Sequence, residues 1–117
     1  MHLVRKVQEQ TPVEIACGIM KKLTWPQDCH SMDFAHVTIN GSTKRHYHIK
    51  ATEVYYVLKG SVEVELGNRK KEYLGPGSLL MIYPKTEHKA YSKPGDPAEI
   101  LVISSPPWSE GDEILTE

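Results

Sequence analysis

The sequence has little of what would place it outside ordinary globular chemistry. It contains two cysteines and one phenylalanine in 117 residues. Cys17 and Cys29 have eleven residues between them, which is neither a C-x-x-C redox pair nor the clustered spacing of a disulfide framework. Two free thiols in a reducing compartment are expected, and that points to the cytoplasm. No apolar run approaches the roughly 20 residues a membrane-spanning helix requires. The N-terminal M-H-L-V-R-K-V-Q-E-Q lacks the apolar h-region of a secretory signal. A soluble chain with no membrane partner is therefore expected. Excess charge is missing as well: fourteen Lys and Arg oppose fifteen Asp and Glu, for a net charge of -1. Without a basic stripe, nucleic acid is not an expected partner. The one dense basic run, Arg69 to Lys71, falls between two strand-like segments, where a solvated turn belongs. Long helical periodicity, tandem repeats and low-complexity segments are absent too.

What is present is a series of short strand-like segments punctuated by eight glycines and eight prolines. In V-E-I-A-C-G-I-M-K-K-L, apolar residues at Val13, Ile15, Cys17 and Ile19 have period two. That predicts a strand, with a second short one at Lys21 to Leu23. Trp25-Pro26 ends this lead-in. Further strands are expected at Phe34 to Ile39, Val54 to Lys59, Ser61 to Leu66, Lys71 to Leu74 (edge-like), Leu79 to Tyr83 (buried), His88 to Ser92 and Glu99 to Ser104. Val62, Val64 and Leu66 should face inward while Glu63 and Glu65 face water. Asn40-Gly41 and Gly67-Asn68 mark turns. The tail P-P-W-S-E-G-D-E-I-L-T-E looks too proline-rich and acidic for a regular element, and Trp108 is the residue expected to dock it. The pattern is that of an all-β sandwich or barrel. At 117 residues it is one domain, long enough to bury a core without disulfides.

The chemistry concentrates in Arg45 to Gly60, R-H-Y-H-I-K-A-T-E-V-Y-Y-V-L-K-G. Residues i and i+2 of a strand share a face, so His46 and His48 can converge on one ion. Glu53 heads the next strand, and an antiparallel neighbour would bring its carboxylate beside the pair. His88 is the natural fourth member. Imidazoles plus a carboxylate suit Fe, Mn, Zn, Ni or Cu, and donor softness does not choose among them. The set has no thiolate, which argues against a closed structural zinc site. Three imidazoles and one carboxylate around a six-coordinate ion leave two positions open for water or substrate.

This stretch resembles the first motif of the cupin superfamily: glycine, about five residues, His-x-His, three or four residues, Glu, six residues, Gly. His46, His48, Glu53 and Gly60 keep that spacing. Gly41 stands one residue closer than the pattern, with Asn40 at the five-residue position. The second motif resembles glycine, five residues, Pro-x-Gly, two residues, His, three residues, Asn. Gly77 and His88 keep its frame, while Tyr83, Lys85 and Ser92 replace its proline, glycine and asparagine. The resemblance covers roughly residues 34 to 104. It implies a jelly-roll barrel (double-stranded β-helix) with a divalent transition metal held inside by His46, His48, Glu53 and His88. A strand extension precedes the barrel and a tail follows it.

Other residues carry a sharp and a bland reading. Tyr55 should share Glu53's inward face, where it either donates a proton to substrate or fills the barrel. Tyr47 and Tyr56 should point outward from the same sheet, and an apolar outer face suggests a homodimer. His36 is a satisfied strand histidine or a cavity residue. His2 and His30 are surface residues. Lys44, Arg45 and Lys85 either steer an anionic substrate or sit in solvated turns. No base adjoins Cys17 or Cys29 in sequence, so neither is expected to act as a nucleophile. The expected function is a metal-dependent enzyme (oxygenase, isomerase or lyase) on a small polar molecule. The alternative is a non-catalytic protein that binds a sugar or organic acid. A structural or storage role without an ion is a third reading, against which the intact ligand set argues.

Overall fold

Period-two alternation governs the long strands of the computed structural model, which describes all 117 residues. After a 3-10 turn at Val7–Glu9 come β1 (Val13–Ile15), β2 (Gly18–Lys22), β3 (Asp33–Ile39), β4 (Gly41–Ser42), β5 (His46–His48) and β6 (Thr52–Lys59). They are followed by β7 (Val62–Leu66), β8 (Lys71–Leu74), β9 (Leu79–Ile82), β10 (His88–Ser92), β11 (Ala98–Ser105) and β12 (Glu113–Leu115). One sheet has the order β1-β2-β3-β11-β6-β9. The other has the order β12-β5-β10-β7-β8, with β4 also pairing β10. All pairings are antiparallel. The two sheets face each other across the core as a jelly-roll barrel.

The inward rows set the barrel's polarity. Along β11, Ala98, Ile100, Val102 and Ser104 are buried. Along β6, the buried residues are Glu53, Tyr55 and Val57. On the opposite sheet, the buried residues are Val62 and Val64 of β7 and His88, Ala90 and Ser92 of β10, with Val64 opposite Ala90 and Leu66 opposite His88. One end of the barrel is thus packed with aliphatic side chains, among them Ile39, Val57, Val64 and Ile100. Each fully buried one contributes about 1.5–3 kcal/mol. The other end is ionisable. Gly60 closes the turn after β6 with φ +77°, and a Cβ there would lie 2.7 Å from the Pro97 carbonyl oxygen. That crowding is the physical content of the motif's final glycine.

Several expected elements differ. The lead-in is a hairpin: β1 and β2 pair across a turn at Ala16-Cys17, so Ile19 faces out while Cys17 and Met20 pack inward. Gly18 permits the reversal with φ +127°, and a Cβ there would meet the Thr38 carbonyl oxygen at 2.4 Å. The segment at Leu79 to Tyr83 is not a buried strand. β9 is the edge of its sheet, with Leu79, Met81 and Tyr83 exposed and Ile82 alone fully buried. The tail forms the regular strand β12, which pairs with β5. Trp108 is half exposed and is tied by its backbone N–H, which donates to Asp33. What docks the tail is Asp112, whose buried carboxylate accepts the backbone N–H groups of Lys50 (2.8 Å) and Ala51 (3.2 Å).

Candidate metal centre

The structure brings His46, His48, Glu53 and His88 together, all buried, with one donor atom from each lying within 4.8 Å of the others. Strand parity carries His46 and His48 inward from β5, and the β10 register places His88 directly opposite His46. Glu53 does not arrive from a hydrogen-bonded neighbour of β5. It heads β6 in the other sheet, so three imidazoles of one sheet meet a carboxylate of the facing one.

The ring tautomers follow from the backbone. His46 Nδ1–H donates to the Lys44 carbonyl (2.8 Å) and His88 Nδ1–H to that of Thr86 (2.9 Å). Each ring therefore turns an Nε2 lone pair inward. Glu53 Oε1 lies 3.2 Å from His88 Nε2 and 3.1 Å from His48 Nε2. Neither ring nitrogen of His48 has a well-formed hydrogen bond, although Asp112 Oδ2 stands 3.7 Å from its Nδ1. For a neutral His88, the Nε2 lone pair thus faces a carboxylate oxygen at hydrogen-bond range with no proton between them. Such an arrangement is repulsive unless a cation sits among the donors. Nitrogen and oxygen donors about 2.1 Å from one ion and at right angles would be about 3.0 Å apart, close to the separations observed. The four residues therefore fit a divalent transition metal.

The electrostatics keep a carboxylate ionised in the pocket. Burial opposes ionisation of Glu53, but His48 and His88 outweigh burial and hold its carboxyl at about 2. Burial also acts against charge on His48, and there Glu53 prevails and raises it. His46 is pushed down by burial and then by His88. The pocket is anionic at Glu53 and rich in lone pairs elsewhere.

Tyr55 is fully buried, and its O–H donates to Cys17 Sγ at 3.5 Å. Burial pushes its phenol well above the ordinary value. It is not part of the cavity wall beside the site. That cavity, about 430 Å3, is bordered by His48 and Glu53 and by Cys17, Lys22, Asp33 and Glu113. Of these neighbours, Cys17 has no adjacent base in the sequence, and Lys22, Asp33 and Glu113 carry no signal there at all. Cys17 lies against His46, with Sγ 3.4 Å from Nε2, a contact 29 positions away in the chain. Glu113 enters on the tail strand opposite His48. Asp33 is held by the Trp108 N–H (2.8 Å), and burial raises its carboxyl above the usual range.

The remaining residues fall outside the cavity wall. His36 is satisfied by Glu99 at 3.0 Å on the outer face. Arg45 pairs with Glu65, and Lys44 and Lys85 are exposed. Lys85 has φ +66° and gives its N–H to the His48 carbonyl at 2.6 Å. It keeps the left-handed backbone that its motif fills with glycine. Tyr47 and Tyr56 belong to different sheets, so they do not form one apolar face.

The fold is an antiparallel jelly-roll barrel with three inward imidazoles and one inward carboxylate at one end, a set that could hold an ion. Residues 34–104 match the Cupin domain family model, and the chain belongs to the cupin family. MJ1618 of Methanocaldococcus jannaschii, an uncharacterised protein, is 36% identical over 87 residues, which are 74% of this chain and 69% of that one. Among solved structures, Streptomyces Pac13, a nucleoside dehydratase, matches with TM-score 0.85 at 16% identity, covering 100% of this chain and 92% of Pac13. The polyketide cyclase RemF of Streptomyces resistomycificus matches with TM-score 0.76 at 23% identity, over 96% of this chain and 89% of RemF. At such identities these two structures speak to the fold. No helix is long and apolar enough to cross a membrane.

Proposed function

We propose that this cupin is an enzyme that uses a divalent transition metal, held by His46, His48, Glu53 and His88, to transform a small polar molecule. The observation that carries the reading is the convergence of three buried imidazoles on a buried carboxylate, next to a cavity large enough for a small molecule. When bound, the metal supplies Lewis acidity toward a substrate oxygen. The chain's own residues supply the rest. Lys44 and Thr86 fix the orientation of two imidazoles through their carbonyls. Lys22 and Asp33 give the mostly apolar wall a cation and a proton carrier. Burial keeps the proton on Asp33 Oδ to higher pH than on a free carboxyl, which suits it to give and retrieve a proton in an isomerisation or elimination. Tyr55, placed behind Cys17, supports the metal-bearing wall.

Pac13 and RemF, a dehydratase and a cyclase, support this scaffold as a host for such chemistry. Two unpaired cysteines, one of them buried, are compatible with a reducing cytoplasm. The same reading includes a homodimer through the outer face of β6 and β9. There Tyr56, Leu58, Leu79 and Met81 are exposed side by side, and apolar groups so grouped favour a covered face. Light scattering should give twice the chain mass, falling to the chain mass in Leu79→Glu.

The test of function is to load metal-free protein with Fe(II), Mn(II), Zn(II) or Ni(II) and follow turnover over a panel of nucleosides, keto acids and sugars. Turnover that disappears in His48→Ala and falls at least about 100-fold in Asp33→Asn, the range typical of a general acid–base group, supports the enzyme. Saturable binding with no turnover for any metal would replace it with the non-catalytic binding protein.

A further inference from the structure

We propose that His46 belongs to two mutually exclusive cation sites, the second formed with Cys17 and Glu113 and selective for thiophilic ions. The donor atoms of Cys17, His46 and Glu113 all lie within 4.8 Å of one another. His46 Nε2 is 3.4 Å from Cys17 Sγ and 3.6 Å from Glu113 Oε1. In a tetrahedral zinc-type site, a nitrogen at about 2.1 Å and a sulfur at about 2.3 Å stand about 3.6 Å apart, and a nitrogen–oxygen pair stands about 3.4 Å apart. The separations here lie within about 0.2 Å of those edges. Those around Glu53, 3.1 and 3.2 Å, match the shorter right-angled edge. Two donor sets thus lie side by side with one imidazole in common.

The chemistry of exchange is simple. With no ion bound, Cys17 S–H donates to His46 Nε2, whose own proton is on Nδ1 and held by Lys44. A cation taken up there forms bonds to Sγ and Nε2 while the thiol proton leaves to solvent. Cys17 and Glu113 both border the cavity, so an ion can reach them by the same route as a substrate. One Nε2 lone pair serves one ion. A soft ion such as Cd(II), Zn(II) or Cu(I) at Cys17 therefore withdraws His46 from the four-residue set, whereas a hard ion such as Mn(II), with no preference for sulfur, leaves the thiol protonated. The second site is inhibitory by construction, and its existence does not depend on the enzymatic reading.

The test uses Cd(II) and Mn(II) on the full chain, with a Cys29→Ser background to remove the other thiol. Cd(II) should raise one thiolate-to-metal charge-transfer band in the ultraviolet. Cys17→Ala should abolish that band and weaken Cd(II) by more than the roughly 10–100-fold that loss of an outer partner costs, while changing Mn(II) affinity less than about threefold. Competition should be strict, with Cd(II) displacing Mn(II) one for one. Cys17→Ser, which keeps the packing, guards against a folding defect and should also lose the band. Cd(II) binding without a band, a band that survives in Cys17→Ala, or both ions bound together would overturn the proposal. Failure of Mn(II) to bind while Cd(II) gives the band would count against the four-residue metal site and overturn the sharing of His46, leaving only a thiolate site at Cys17.

Discussion

Replacing Asp112 should loosen the tail strand and the metal site together. Its carboxylate accepts the N–H of Lys50 at 2.8 Å and of Ala51 at 3.2 Å. Lys50 is exposed, so water can take over its N–H in Asp112→Ala, and about 1 kcal/mol is lost there. Ala51 is 1% exposed, and its orphaned N–H costs about 2 kcal/mol. The sum is about 3 kcal/mol. For 117 residues the unfolding entropy near the midpoint is roughly 0.25 kcal/mol/K, so Tm should fall by about 12 °C. Asp112→Asn retains one acceptor and sets an NH2 against the other N–H, so its loss should be about 2 kcal/mol.

Asp112 Oδ2 also stands 3.7 Å from His48 Nδ1. That negative charge favours the tautomer with its proton on Nδ1 and its lone pair on Nε2. Without it, metal affinity should fall roughly 10–100-fold. Calorimetric melting of metal-free protein measures the first effect, and isothermal titration with Mn(II) measures the second. A Tm within about 3 °C of wild type would refute the docking role. A large Tm loss with unchanged Mn(II) affinity would confine Asp112 to the tail.

Three further outcomes follow from single residues. Lys85→Gly should stabilise the protein by roughly 1 kcal/mol in urea unfolding, because a lysine at φ +66° carries the left-handed penalty that glycine lacks. Gly60→Ala should do the opposite by about 1–3 kcal/mol in the same assay, since its Cβ meets the Pro97 carbonyl oxygen at 2.7 Å in a left-handed turn. Burial raises Asp33 above its ordinary value, so the native state holds that proton to higher pH than the unfolded chain. Its contribution is fully present below the ordinary carboxylate pKa of about 4 and is lost as pH rises through the raised one. Stability measured by urea unfolding from pH 4 to 7 should therefore fall less steeply in Asp33→Asn than in wild type.

Much of the barrel can be read from alternation, because each long strand buries one row and exposes the other. The parity that puts His46 and His48 on one face is a property of three consecutive residues, so it is visible without a structure. Parity says nothing about pairing. Glu53 faces inward as expected, yet its strand lies in the opposite sheet from His46. Alternation also fails where a two-residue turn hides inside it. Val13, Ile15, Cys17 and Ile19 read as one strand, but Gly18 folds them into a hairpin that turns Cys17 toward His46. The tail was illegible for a related reason. A short acidic segment has no apolar row of its own, and what orders it is pairing with β5 together with one carboxylate meeting backbone N–H groups 61 and 62 positions away.

These long-range contacts explain why the ionisable end can exist at all. A buried carboxylate among inward lone pairs disfavours closure of the two sheets there, while the aliphatic end, with Val57, Val64 and Ile100 fully buried, holds them together regardless of any ion. The candidate ligands span the gap, with three imidazoles on one sheet and Glu53 on the other, so a cation held there would tie the sheets where packing does not. Beside them, β12 adds a second tie that needs no ion, through Asp112 and the ladder from Glu113 to Leu115. The division has a mechanical consequence. The aliphatic end fixes the fold, and at the ligand end the tail strand ties β5 through contacts that need no ion.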